Sequence, residues 1–180
     1  MPIVNMNKCQ YRLDAIDLDW TTLNSQKNIG GHTVRAVNEA LDRGVEVIFC
    51  TGRSRAQFER YLTQFPKLRY AIASSGAVVY DVKTWEKLVS NEMPPEIVDR
   101  IFSVGEMLDC FPFMGMEGNS IYEGSMASLA VEYGLKNYLY EMHNFAAPVE
   151  GLFRWYRTQN RPVESISFYF RDHQPCAAVR

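Results

Sequence analysis

Short apolar runs alternate with amphipathic segments over residues 13–81, and this alternation constrains the fold more than any other feature. The runs occupy residues 13–18, 45–50 and 70–73. Between them, apolar side chains recur at helical spacing: Val34, Val37, Ala40 and Leu41, then Phe58, Tyr61, Leu62 and Phe65. Strand–helix–strand–helix–strand order predicts a parallel sheet with right-handed crossovers and a buried first strand. The fold class expected for this half is therefore α/β, a partial Rossmann-like core.

The pattern changes after residue 81. A helix is predicted after Pro94 and Pro95, a hairpin around Gly118 and Asn119, and a helical region over residues 125–145 that Gly134 interrupts. Residues 165–170 alternate between polar and apolar, which is typical of a one-sided antiparallel strand. We therefore expect two domains, a core over residues 1–82 and an α+β domain over residues 83–180, with the boundary near residues 81–92.

Polar and acidic residues follow the three predicted strands, where ligands collect in parallel sheets. Asp17 and Asp19 follow the first strand, Thr51 and Gly52 follow the second, and Ser75 follows the third. A carboxylate such as that of Asp17 can attack phosphorus, and Asp19 is then placed to act as general acid and base. Such chemistry gathers negative charge, which predicts Mg²⁺ held by Asp17 and a backbone carbonyl.

These residues resemble the motifs of the haloacid dehalogenase superfamily, and within it the Cof-type subfamily IIB sugar-phosphate phosphatases. The similarity lies in Asp-Leu-Asp-x-Thr-x-Leu, Thr-Gly-Arg and Ser-Gly-Ala. The resemblance implies that Asp17 is the nucleophile, Asp19 the general acid/base, and both are metal ligands. It assigns phosphate or substrate binding to Thr51, Gly52, Arg53 and Ser75. It also implies an inserted α+β cap and a Mg²⁺-dependent phosphatase of a small phosphorylated metabolite, such as a sugar phosphate.

The sequence departs from the family pattern at several positions. Trp20 replaces a glycine, Thr22 a leucine and Ser75 an asparagine, and nothing after residue 124 resembles the family's lysine or its Gly-Asp-x-x-Asn-Asp motif. The resemblance then implies a chain truncated after its cap, with the first strand at an open edge of the sheet. We expect either a fragment of a longer enzyme or a homo-oligomer or partner chain that covers this edge. The alternative function is a catalytically silent binding or interaction module.

Composition narrows the function classes further. The net charge of -2 and pI of about 5.9 argue against nucleic acid as a bulk electrostatic partner. No apolar run reaches the length of a membrane span, and no signal peptide is recognisable at the N-terminus. The four cysteines are widely spaced without a CxxC pair, which predicts reduced thiols in a cytoplasmic protein.

Overall fold

The computed structural model describes residues 11–171, which divide into two compact units. The first unit comprises residues 11–52 and 58–90, and the second comprises residues 53–57 and 91–171. Cys50 and Cys110 carry free thiols. Cys9 and Cys176 lie outside the described residues, so the prediction for them stays a prediction.

A five-stranded sheet forms the first unit, in the order β1-β2-β3-β4-β5. Its strands are β1 (Leu13–Ile16), β2 (Glu46–Cys50), β3 (Tyr70–Ala73), β4 (Val78–Asp81) and β5 (Glu86–Ser90). The first three are parallel, as predicted, while β4 is antiparallel to β3 and β5 is antiparallel to β4. Because β5 pairs with β4, the first unit extends to Ser90, which lies within the boundary region predicted over residues 81–92; the predicted domain bounds themselves stay a prediction.

Strand β1 is parallel to β2 but it is not buried, so the expectation of a buried first strand is wrong. Leu13, Asp14 and Ala15 are exposed, and Ile16 is half-buried. The physical reason is its place at the edge of the sheet, where β2 is its sole strand neighbour among residues 11–171. The run also ends earlier than predicted: Leu18, which is fully buried, belongs to the following loop.

Helices and aromatic side chains build the core of the first unit around β2. Helix α1 (Gly31–Asp42) ends before Gly44, whose φ of 81° suits a glycine. The second predicted helix is instead a short α2 (Arg55–Phe58), of which only Phe58 belongs to this unit, followed by a 3₁₀ segment, Glu59–Gln64. Phe49 packs edge-to-face against Phe58 and Phe65, with ring centroids 6.4 and 5.7 Å apart.

The second unit contains a four-stranded sheet in the order β8-β7-β6-β9. The predicted hairpin is formed by β6 (Phe111–Met116) and β7 (Asn119–Glu123), and β9 (Ser165–Tyr169) pairs antiparallel with β6. Strand β8 (Ala146–Val149), which the sequence did not indicate, pairs parallel with β7. These strands and their helices confirm an α+β arrangement for this half.

The helices of the second unit are α3 (Pro95–Gly105), α4 (Leu139–Phe145) and α5 (Leu152–Gln159). The predicted helical region over residues 125–145 is divided into two 3₁₀ segments and α4, with the interruption at Gly134, where φ is 79°. Within residues 11–171, none of the helices combines the length and the apolar character that crossing a bilayer requires.

Candidate functional site

The acid loop, residues 17–22, begins directly after β1 and carries both predicted catalytic acids. Thr21 Oγ1 donates to Asp17 Oδ2 over 2.9 Å, and Thr22 Oγ1 donates to the Asp17 carbonyl. The Leu23 amide donates to the Leu18 carbonyl over 2.7 Å, which closes the loop. Of the two oxygens of the exposed Asp17 carboxylate, Oδ2 thus accepts the hydrogen bond from Thr21, and Oδ1 can face a substrate.

Asp19 lies two residues further along the same loop and takes part in an ion pair. Lys27 Nζ is 2.7 Å from Asp19 Oδ1, and the same ammonium lies 5.0 Å from the centroid of the Trp20 ring. Trp20 itself has φ of 62° and is 82% exposed. A positive φ costs a tryptophan backbone strain that the family's glycine avoids.

Thr51, Gly52 and Ser75 meet at the carboxyl ends of β2 and β3. The Thr51 amide donates to the Ile72 carbonyl over 2.9 Å, and the Ser75 amide donates to the Thr51 carbonyl over 3.2 Å. A Cβ built on Gly52 would stand only 3.2 Å from Ser75 Oγ, so glycine permits this approach. Ser75 is exposed, with φ of 56°.

The register of the sheet relates this cluster to the acid loop. Ile16 of β1 is opposite Phe49 of β2, so Asp17 and Thr51 both follow the carboxyl ends of neighbouring parallel strands. Asp17, Asp19, Thr51, Gly52 and Ser75 thus lie after the carboxyl ends of β1, β2 and β3, and their predicted roles stay predictions.

Arg53 belongs to the second unit by its contacts. Its side chain is 7% exposed, and Nη2 lies 3.2 Å from Oε1 of Glu141, which is 6% exposed. Nη1 also approaches the carbonyl of Gln57, at 3.5 Å. The guanidinium is thus committed to a buried ion pair, and its predicted role in binding substrate stays a prediction.

The strain at Trp20 gives a stability prediction. Trp20→Gly and Trp20→Ala both remove the ring, but only alanine keeps the Cβ that a left-handed backbone disfavours. We expect the alanine variant to unfold more easily than the glycine variant by about 1 kcal/mol, as measured by urea denaturation. Equal unfolding free energies for the two variants would contradict a left-handed backbone at this position.

The oxygen atoms of the acid loop fit a magnesium ion. Mg²⁺ uses one or two carboxylates together with water and substrate phosphate, and Asp17 and Asp19 supply carboxylates and carbonyls from one loop. Across residues 11–171 no cluster of three or more histidine, cysteine or acidic side chains is assembled for a metal.

Sequence reasoning missed the residues that support the two acids. Thr21 and Lys27 contact them directly, and Tyr61 binds the backbone of Lys27. A threonine four residues after an aspartate could have been proposed as a partner of that aspartate. Nothing in the polar stretch around Lys27 indicates that its side chain turns back to Asp19.

The chain is similar to known proteins in sequence and in fold. A sequence model of the haloacid dehalogenase-like hydrolases matches residues 15–171. An HMP-PP phosphatase of Serratia proteamaculans is 29% identical over 91 residues, which cover 51% of this chain and 33% of the relative. The chain thus matches about a third of the length of that curated relative.

Two solved structures share the fold. A haloacid dehalogenase-like hydrolase from B. subtilis superposes with a TM-score of 0.76 at 16% identity, covering 93% of this chain and 65% of the other. A sugar phosphatase of haloacid dehalogenase subclass IIB gives a TM-score of 0.64 at 20% identity, covering 84% and 56%. With the family match over most of its length, the chain belongs to the haloacid dehalogenase-like hydrolases.

Proposed function

We propose that the protein is a Mg²⁺-dependent phosphatase that acts through an aspartyl-phosphate. The observation that carries the proposal is the acid loop, in which Thr21 holds one oxygen of the exposed Asp17 carboxylate. The other oxygen attacks phosphorus as the bond to the leaving oxygen breaks. Asp19 gives a proton to that oxygen and then takes one from the water that hydrolyses the intermediate.

The residues at the neighbouring strand ends bind the phosphoryl group in this proposal. Thr51 and Ser75 offer hydroxyls, and Gly52 allows a close approach of the backbone. A role for Arg53 in binding substrate stays a prediction from the family pattern. Mg²⁺ held by Asp17 and Asp19 would neutralise charge on the phosphoryl oxygens.

The substrate class is a small phosphorylated metabolite. The relatives support this choice, because one is named as an HMP-PP phosphatase and another as a sugar phosphatase. A sugar phosphate is the specific candidate, and a cytoplasmic location is expected from the cysteine usage.

Removal of the metal tests the proposal. We expect hydrolysis of p-nitrophenyl phosphate in the presence of Mg²⁺ and a rate at least about a hundredfold lower after EDTA, because the cation stabilises transition-state charge by several kcal/mol. Added Mg²⁺ should restore the rate. A rate that EDTA leaves unchanged would contradict a role for the cation.

The second candidate is a catalytically silent binding or interaction module, and the position of β1 at the edge of the sheet among residues 11–171 favours it. Such an edge presents backbone groups to which another strand can pair, from a second copy or a partner chain. Complete lack of hydrolysis in the same Mg²⁺ assay, together with concentration-dependent association in light scattering, would favour this candidate over the enzyme.

A further inference from the structure

The backbone of Lys27 is fixed by a tight turn between the acid loop and α1. Asn24 Oδ1 accepts hydrogen bonds from the amides of Gln26 and Asn28, at 2.9 and 3.0 Å. The Lys27 amide donates to the Asn24 carbonyl over 2.9 Å. Lys27 adopts φ of 57° within this turn, a conformation that a lysine takes only where its surroundings impose it.

A buried side chain anchors the turn from the other side. Tyr61, which is 3% exposed, donates its hydroxyl to the Lys27 carbonyl over 2.9 Å. Both backbone polar groups of Lys27 are therefore bonded within the first unit. These two hydrogen bonds fix the backbone conformation of Lys27, and with it the direction in which its side chain leaves the backbone.

The ammonium group of Lys27 reaches two residues of the acid loop at once. It bonds Asp19 Oδ1 and lies over the Trp20 ring, and the side chains of Lys27 and Asp19 are 24% and 33% exposed. An ammonium over an indole contributes about 0.5–1 kcal/mol at exposed sites. This contact opposes the strain that the positive φ of Trp20 introduces.

An ordinary surface ion pair in the same unit provides the comparison. Lys67 Nζ lies 2.8 Å from Asp42 Oδ1, but these side chains are 63% and 61% exposed. Exposed pairs of this kind contribute little to stability. Lys27 differs because a fixed backbone presents its ammonium to two consecutive residues, one of which is a predicted catalytic acid.

We propose that Lys27 is a positioning residue that holds the carboxylate of Asp19 and the ring of Trp20 in one arrangement. The contact between its ammonium and the ring opposes the backbone strain that Trp20 carries and that a glycine at position 20 would not carry. The effect of Lys27 on turnover rests on the proposed phosphatase function. The effect of Lys27 on the order of the acid loop is independent of that function. Small displacements of a catalytic group lower rates by up to about a hundredfold.

The test compares Lys27→Met, Lys27→Arg and the matched control Lys67→Met. The first measurement is the ¹H–¹⁵N heteronuclear NOE of the Asp19 and Trp20 amides and of the Trp20 indole, assigned with Trp20→Phe. We expect these NOEs to fall in Lys27→Met and to stay at the wild-type level in Lys27→Arg and Lys67→Met. Unchanged indole signals of Trp85 and Trp155 serve as the check that the variant is folded.

The second measurement separates kcat from KM for p-nitrophenyl phosphate. Lys27→Met should lower kcat about tenfold with KM changed less than twofold, since the orientation of the acid is lost rather than substrate binding. Lys27→Arg should recover most of kcat, and Lys67→Met should match the wild type. Wild-type NOEs in Lys27→Met would overturn the proposal, whether or not the protein hydrolyses phosphate esters. Lack of hydrolysis by the wild type would instead refute the phosphatase function, leaving the NOE comparison to decide the role of Lys27.

Discussion

Replacing Asp17 by asparagine is expected to lower the hydrolysis of a phosphate ester by on the order of 10³-fold or more. The amide has nearly the shape of the carboxylate and can still accept the hydrogen bond from Thr21, which spans 2.9 Å in the native loop. It cannot act as the attacking oxygen nucleophile. The loss should therefore fall on kcat, with the fold intact by circular dichroism.

Asp14→Asn is the matched control for this experiment. Asp14 is an exposed aspartate on β1, the strand that precedes the acid loop, and it is opposite Val47 in the register with β2. The Asp14→Asn substitution removes one carboxylate from β1 without changing the acid loop, so activity close to wild type is expected.

Acid quenching followed by intact mass measurement should detect a phosphorylated chain for the wild type and not for Asp17→Asn. Equal hydrolysis by Asp17→Asn and the wild type would exclude Asp17 as the nucleophile.

Replacing Arg53 by methionine is expected to lower the unfolding free energy by about 3 kcal/mol or more. The substitution leaves the Glu141 carboxylate, 6% exposed, without the guanidinium that lies 3.2 Å away in the native protein. An uncompensated buried charge is costly because the protein interior solvates it poorly. Urea denaturation followed by far-ultraviolet circular dichroism measures the change.

The control is Arg161→Met, which breaks an ion pair of the same type on the surface of the same unit. Arg161 Nη1 lies 2.6 Å from Glu117 Oε1, and both side chains are 54% exposed, so a loss below about 1 kcal/mol is expected. The double variant Arg53→Met/Glu141→Met should recover much of the lost stability, because it removes both charges. If Arg53→Met lowers the unfolding free energy by no more than Arg161→Met does, the buried ion pair does not stabilise the protein as expected.

The sequence predicted the parallel half of the first sheet because its strands are rich in β-branched and apolar residues. It did not indicate β5, whose residues Glu86–Ser90 are all exposed and show no buried face. The helix expected around Phe58 and Phe65 has correct α-helical spacing, yet the chain turns to 3₁₀ geometry at Glu59. Apolar spacing identifies the residues that reach the core, but it does not distinguish these two helical forms over a few residues.

The candidate site was predictable where it depends on strand ends. Asp17, Thr51 and Ser75 follow three neighbouring strands, and the rule that ligands collect there requires only the order of elements. The partners of Asp19 and Arg53 were not predictable. Lys27 reaches Asp19 through a turn with an unusual backbone angle, and Glu141 meets Arg53 across 88 residues of sequence.

Strand β1 carries the proposed nucleophile at its end, although it is hydrogen-bonded on one side alone within the described part of the chain. Edge strands open at lower free energy than strands at the centre of a sheet. The position of Asp17 therefore depends on the pairing between β1 and β2, which is at the edge of the sheet. A backbone that adds to this edge would raise the free energy of that opening by an amount set by its concentration relative to its Kd. A strand bound there would narrow the range of positions that the backbone of Asp17 samples, because Asp17 directly follows β1.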